Sequence, residues 1–281
     1  MQKKNLLITG ITVAVIIVVF IAYKLIVSAA HTAGTFQKSP AKAENSPKDE
    51  GELFTLASRC ENSNDLLTAQ DSYRKIVEQF QNSNNIQKAQ EGLERVNIAL
   101  LFSPIATPDS VMYQVQKGDT LGKIAKKFST TQALILKSNN LRDAAVVQLG
   151  RKLKVHNEKM SIVIDKSQNI LTLKSNDKIV KTYRVSTGTN NSTPVGTFKV
   201  INKVTNPPWY TAGTVVSPDS PKNILGSRWL GLSAQGYGIH GTTEPQSIGK
   251  QVTSGCVRMK NSDVEELYEI VPEGTEVVIV D

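Results

Sequence analysis

The stretch "SIVIDKSQNILTLKSNDKIVKTYRVSTG", residues 161–188, decides the fold class. Apolar residues alternate along three short runs, and turn-forming residues interrupt them at Lys166-Ser167-Gln168-Asn169 and Ser175-Asn176-Asp177-Lys178. A period of two marks strands with one buried face, so the segment predicts three strands joined by tight turns. Downstream, "STPVGTFKVINKV" (192–204) adds another strand and "TEVVIV" (275–280) closes the chain with a last one. Short strands with such regular punctuation predict a mostly-β domain, sandwich or barrel, over residues 160–281. One helix interrupts them: "SDVEELYEIV", with Ser262 or Asp263 as its predicted cap and Pro272 as its stop.

Just before that helix lies "TSGCVRMKN" (253–261), which holds Cys256, one of two cysteines in the chain. The thiolate is the good nucleophile, so a reactive cysteine needs a base or positive charge nearby and some access. His240, in "GYGIHGT", is the one histidine of this domain and lies sixteen residues upstream. Gly236, Gly238, Gly241 and Gly255 allow close backbone approach and leave N–H groups for a developing oxyanion. Arg258 suits a substrate carboxylate or a loop-holding contact. Each residue also has an ordinary structural reading: a hydrogen-bonded histidine, a buried cysteine, and an arginine paired with Asp263 or Glu265 on the surface. A Cys60–Cys256 disulfide is a further alternative, and a poor staple between segments so far apart.

The longer string "IHGTTEPQSIGKQVTSGCVRM" (239–259) resembles the signature of the L,D-transpeptidase catalytic domain: His-Gly, a spacer, then Ser/Thr-x-Gly-Cys-x-Arg. The resemblance extends through "VSTGTNNSTPVGTFKV", "NPPWY" and "VPEGTEVVIV", from about residue 161 to the end. Many members carry His between the Ser/Thr and the Gly, where this chain has Ser254. The resemblance implies a β-sandwich-like domain with Cys256 beneath a flap. It implies Cys256 as nucleophile and His240 as base, with a main-chain carbonyl such as that of Gly241 orienting the imidazole. Ser254, Gly255, Gly241 and Arg258 are the implied substrate-binding residues, and N–H groups around Gly255 and Cys256 the oxyanion donors. The implied substrates are peptidoglycan stem peptides. Scattered acids and one histidine lack ligand spacing, so neither metal nor cofactor is expected.

Residues 111–156 form a separate unit. "VMYQVQKGDTLGKIAKKF" opens as a strand, turns at Lys117-Gly118-Asp119 and enters a helix capped by Asp119 or Thr120. Leu121, Ile124, Ala125 and Phe128 fall on one face of that helix. A second helix, "TTQALILKSNNL", and a strand, "RKLKV", complete a βααβ order. The unit resembles the LysM domain, which implies binding to peptidoglycan glycan strands, with Gly118, Asp119, Thr120 and Asn139 as contact candidates. Where LysM domains often carry Pro before the Gly of the last turn, this chain has Leu149-Gly150.

Upstream, residues 52–103 read as helices. Leu66, Ala69, Tyr73, Ile76, Val77 and Phe80 recur at three or four, as do Ile86, Ala89, Leu93, Val96 and Leu100, and Asp65 is a predicted N-cap. The spacing resembles a tetratricopeptide unit, but one unit and a fraction falls short of a stable array. A spacer, a dimerisation helix pair, a degenerate repeat and a site for a protein partner are all open readings. Residues 30–51 are rich in Pro, Ser, Lys and Glu and predict a flexible linker. Residues 1–29 contain an uncharged run from Asn5 to Tyr23 between Lys4 and Lys24. That length favours an uncleaved membrane anchor over a cleaved signal, although Ser28 and Ala30 would suit cleavage. The chain as a whole is thus predicted to be multidomain α+β, with a transmembrane helix, a tetratricopeptide-like segment, a LysM module and a mostly-β catalytic domain. Everything after the anchor is expected outside the cytoplasm, on the cytoplasmic membrane's outer side.

The net charge of +8 over 281 residues suggests an anionic partner (nucleic acid, lipid head groups or an acidic polymer), or only lysines spread over several domains for solubility. With the resemblances above, it suits an anionic cell wall. No lysine run is interleaved with aromatics, so nucleic acid is not expected. Three functions fit the sequence: transfer of a stem-peptide acyl group to an amine, its hydrolysis as an L,D-carboxypeptidase, or a catalytically dead membrane-to-wall tether.

Overall fold

A computed structural model describes residues 49–142, 147–211 and 213–281. The predicted membrane anchor lies outside the described residues, as does nearly all of the predicted linker. Among the described residues no helix is long and apolar enough to cross a membrane.

Three helices come first: α1 (Glu50–Asn62), α2 (Leu66–Gln79) and α3 (Ile86–Phe102). Asp49 and Asp65 cap the first two, accepting from the N–H groups of Glu52 and Thr68. Leu53, Ala57, Ala69, Tyr73, Ile76, Ala89 and Val96 fill the space between them. Gly92 permits the close approach of α3 to α2, because a Cβ there would sit 2.5 Å from the Tyr73 ring.

The next unit follows the predicted order: β1 (Ser110–Gln114), α4 (Leu121–Lys127), α5 (Gln132–Ser138) and β2 (Lys152–His156). Its two strands pair antiparallel, with Tyr113 opposite Leu153. Thr120 is the cap of α4, accepting from the Lys123 N–H at 3.2 Å. Asp119 instead ties the preceding turn, accepting from the Gln116 N–H and the Tyr113 hydroxyl, each at 2.8 Å.

The C-terminal domain begins with β3 (Met160–Asp165), β4 (Ile170–Ser175) and β5 (Lys178–Arg184), the three strands predicted from the opening stretch. Then come β6 (Thr187–Gly188), β7 (Gly196–Thr205), the hairpin β8 (Trp209–Thr211) and β9 (Thr214–Val216), β10 (Arg228–Leu232), β11 (Gly238–His240), β12 (Gln251–Thr253) and β13 (Val257–Arg258). Helix α6 (Asn261–Ile270) and strand β14 (Glu276–Val280) end the chain. Eight strands join in the order β13-β11-β10-β7-β14-β3-β4-β5. Strand β7 links the two halves: Gly196–Lys199 pair with β14, and residues 200–205 pair with β10. Ile162, Ile164, Leu171, Leu173, Val277 and Ile279 form the core, on which α6 lays Val264, Leu267 and Ile270. The start of α6 differs from the prediction. Extended Lys260 occupies the cap position with no side-chain cap bond, and Ser262 and Asp263 lie inside the first turn. The chain passes from β13 into the helix with no turn between, so helical geometry sets in one residue before Ser262.

Each unit has its own hydrophobic cluster, and the first two also contribute residues to that of the C-terminal domain. Ile98 and Leu101 of α3, and Leu134 of α5, are buried in the hydrophobic cluster of the C-terminal domain. The helices therefore obtain from that domain the burial that an isolated repeat would lack. Strand β5 is the sheet's edge, and α3 covers it. Asn97 Nδ2 donates to the carbonyls of Ile179 and Val180, and the Thr182 N–H donates to Glu94 at 3.1 Å. Unpaired edge groups are thus satisfied within the chain.

On the other side, the Thr131 hydroxyl donates to the Glu269 carbonyl, and Lys137 pairs with the Glu269 carboxylate. Buried Lys154 donates to the carbonyls of Leu100 and Ser103 at 2.6 and 3.0 Å, closing the C-terminus of α3.

Candidate active site

Strand β13 runs parallel to β11, with Ile239 opposite Val257 and His240 opposite Arg258. Ile239 and Val257 are buried in the core. Strand alternation therefore turns His240, Arg258 and, one step earlier, Cys256 to the opposite face. One strand across and two residues along separates the Cys256 and His240 backbones by roughly 8 Å, a diagonal that side chains can bridge.

Cys256 is half-buried, and both cysteines are free, Cys60 lying within the helical core. The Cys256 thiol lies 3.6 Å from the Gly236 carbonyl oxygen. Burial pushes its pKa up, and a hydrogen bond from the Gly238 backbone partly offsets this. His240 is buried, and its Nδ1 lies 2.7 Å from the Gly241 carbonyl oxygen. A carbonyl only accepts, so Nδ1 carries the hydrogen and Nε2 keeps its lone pair. The imidazole lies nearly parallel to the Trp229 ring, with centroids 6.0 Å apart. Burial pushes the His240 pKa down to about 4; the Gly241 carbonyl opposes this, the Arg258 charge reinforces it, and the Leu225 carbonyl opposes it. The resting pair is therefore a neutral thiol and a neutral imidazole. A thiol in this state becomes a good nucleophile only on losing its proton.

The loop before Cys256 is tied from several sides. Gly255 has φ +128, and a Cβ on it would come within 2.6 Å of the Tyr237 ring. The Thr193 hydroxyl accepts from the Gly188 N–H at 2.7 Å and donates to the Gly255 carbonyl at 2.9 Å. The Thr253 hydroxyl donates to the Cys256 carbonyl at 2.6 Å and accepts from the Gly255 N–H at 3.1 Å. That last bond corrects one expectation: the Gly255 N–H is engaged and not free for an oxyanion. The Cys256 N–H has no hydrogen-bond partner among the described residues. Ser254 is exposed beside it.

Arg258 is buried, and its Nη1 donates to Glu244 Oε2 at 2.9 Å and to Ser247 Oγ at 3.0 Å. The surface pairing with Asp263 or Glu265 does not occur, because β13 directs the side chain toward the 3-10 turn Pro245–Ser247. Arg258 holds that loop rather than standing open to a substrate.

In the LysM-like unit, the Asn139 amide donates to the carbonyls of Ile135 and Lys154, each at 2.8 Å, and accepts from the Lys154 N–H at 2.7 Å. With Asp119 and Thr120 also engaged internally, three of the four glycan-contact candidates serve the fold. A unit of this size has little core and leans on such side-chain-to-backbone bonds. Gly118 is exposed at φ +85.

Sequence reasoning missed Trp229, Thr193, Glu244 and Asn261. Thr193 stood inside a segment quoted for its resemblance, and Asn261 one residue before the expected cap. No periodicity or spacing singled out either of them.

The family model of the L,D-transpeptidase catalytic domain matches residues 159–279, and that of the LysM domain matches residues 113–156. YkuD of Bacillus subtilis (strain 168), which carries an L,D-transpeptidase name, is 38% identical over 174 residues, spanning 59% of this chain and 97% of that relative. YqjB of the same organism, similarly named, is 40% identical over 126 residues, spanning 43% of this chain and 70% of the relative. The NMR structure of the catalytic domain from the E. faecium L,D-transpeptidase matches only in outline, at 25% identity and TM-score 0.37, covering 45% of this chain and all of that one. With two family models in tandem and a relative matched over nearly its whole length, this chain belongs to the L,D-transpeptidase family, as a member with a LysM domain ahead of the catalytic one.

Proposed function

We propose that this chain is a cysteine acyltransferase that crosslinks peptidoglycan stem peptides. His240 Nε2 takes the Cys256 proton as sulfur attacks the stem carbonyl before the terminal D-alanine. The tetrahedral oxyanion meets the Cys256 N–H. Collapse breaks the C–N bond, and the departing D-alanine nitrogen receives the proton from Nε2. The thioester preserves the acyl group's reactivity until an amine of a neighbouring stem attacks. That amine's proton passes through Nε2 to the leaving sulfur, which restores the enzyme. Ser254, at the rim, lies along the path of the stem, while Gly255, Gly241 and Arg258 shape the site around it. The LysM domain holds the glycan strand, and residues 1–29 anchor the chain in the cytoplasmic membrane with its other domains outside.

One observation carries this reading: His240 is fixed by Nδ1 on the Gly241 carbonyl, on the strand beside the one that Cys256 leads into. Purified disaccharide-tetrapeptides incubated with the wild type and with Cys256→Ala test it by mass spectrometry. Crosslinked dimers from the wild type alone support transfer. Trimmed stems without dimers would make it a carboxypeptidase, and no change with either protein would leave a tether.

A further inference from the structure

Asn261, the first residue of α6, sits outside the set of residues assigned to catalysis. Its Oδ1 accepts from the Thr242 N–H at 2.9 Å and from the Ser227 N–H at 3.2 Å. The Thr242 N–H and the Gly241 carbonyl belong to one peptide group. That group is therefore held at both ends, by Asn261 at its nitrogen and by His240 Nδ1 at its oxygen. The packing leaves room for nothing else. A Cβ on Gly241 or on Gly226 would come within 2.2 Å of Asn261 Oδ1. Leu225, whose carbonyl also faces the imidazole, is two residues from Ser227, the second N–H that Asn261 holds.

We propose that Asn261 is a positioning residue for the base, acting through a relay from Oδ1 to the 241–242 peptide group and on to His240 Nδ1. The amide oxygen fixes the plane of that peptide, so the Gly241 carbonyl keeps its aim on Nδ1. Hydrogen bonds in series polarise one another, which makes that carbonyl a better acceptor. The relay holds the tautomer in which Nε2 is free to take a proton, and among the described residues no carboxylate contacts His240 to do the same. Because Oδ1 also holds Ser227, the last residue of the 206–227 connection between β7 and β10, the same atom ties the hairpin-bearing segment to the base. The inference rests on His240 acting as the base.

The full chain, with its histidines labelled with ¹⁵N, tests the relay. Asn261→Ala is expected to lower kcat in the muropeptide assay by about tenfold to a hundredfold, the range for lost outer-shell histidine partners, with KM little changed. Its His240 imidazole spectrum is expected to show both tautomers, where the wild type shows Nδ1–H alone. Asn261→Asp keeps an acceptor oxygen in place, so it is expected to restore most of kcat. Its negative charge is also expected to move the acid limb of the pH profile upward, while the tautomer spectrum is the readout that a purely structural role would not move. A folded Asn261→Ala with wild-type kcat and a single tautomer would overturn the relay. If Asn261→Ala fails to fold, an Asn261→Asp profile identical to the wild type would overturn it instead. Activity surviving in Cys256→Ala would reject the underlying cysteine mechanism, whichever way the Asn261 variants behave.

Discussion

Burial lowers the His240 pKa to about 4 and raises that of the Cys256 thiol, so on the proposed mechanism a weak base meets a thiol that is hard to ionise. Two predictions follow from the sign of these shifts. Activity is expected to fall at acid pH with a midpoint near 4 rather than at the ordinary histidine value of about 6.5, because protonation of Nε2 removes the base. A kcat/KM profile from pH 3 to 9 measures this, and a limb near 6.5 would contradict it. Arg258→Gln removes a cation that disfavours the imidazolium and is expected to shift the limb upward, while Arg258→Lys holds it lower. The same depression is a stability statement. Between about 6.5 and 4 the unfolded chain binds a proton at His240 that the folded chain does not, so stability is lost as pH falls through that window. Urea midpoints across the window for the wild type and for a His240→Gln variant would show it, the wild type alone carrying this contribution.

At this scale the sequence was informative about identities and silent about partners. Cys256 and His240 stood out as a cysteine and the one histidine of the domain, and Gly241 as the orienting acceptor came only from the resemblance to the family. The engagement of Arg258 by Glu244, and of the Gly255 N–H by Thr253, depends on loop paths that no local pattern encodes. The internal use of Asn139 was hidden for a related reason: an asparagine that closes a turn and one that grips a sugar look alike in a sequence.

Among the elements, α3 is the one whose role the helical periodicity could not specify. Its spacing revealed the apolar stripe that packs on the other two helices, but not the second buried face carried by Ile98 and Leu101. Ala89 and Val96 point to α1 and α2, while Ile98 and Leu101 enter the catalytic core. Leu101→Ala is therefore expected to destabilise the catalytic domain by about 3 kcal/mol, within the usual range for a buried leucine, and to lower its melting temperature. A variant that lost stability only in an isolated helical segment would contradict that. The strands were more legible than the helices' destinations. Both predicted turns, at 166–169 and 175–178, fall where the chain reverses between β3, β4 and β5. What alternation did not reveal was that β5 would be an edge covered by Asn97 and Glu94, since strand order is a long-range property.

For the whole molecule, the joint between modules is the main departure from a beads-on-a-string reading. Leu134, Thr131, Lys137 and Lys154 dock the LysM domain onto α3 and α6. Residues 49–281 are thus expected to unfold in one calorimetric transition, and two separated transitions would refute the shared burial. Charge is also unevenly divided. Residues 111–156 hold nine lysines and arginines against two aspartates, so the LysM domain carries seven of the chain's eight net positive charges. Retention on isolated cell walls is expected to weaken as salt rises from about 50 to 500 mM, because exposed charges are screened over such distances. Binding indifferent to salt would assign recognition to uncharged contacts alone.

That docking has a geometric consequence. A sugar grip joined to its chemistry by a swivel would sample every stem within reach. A grip bolted to the same core acts as a ruler: wherever the strand is seized, the reacting sulfur lies at one fixed offset along it. On the proposed function, new links would fall in register with the points of attachment, and advancing to the next stem would require the domain to let go.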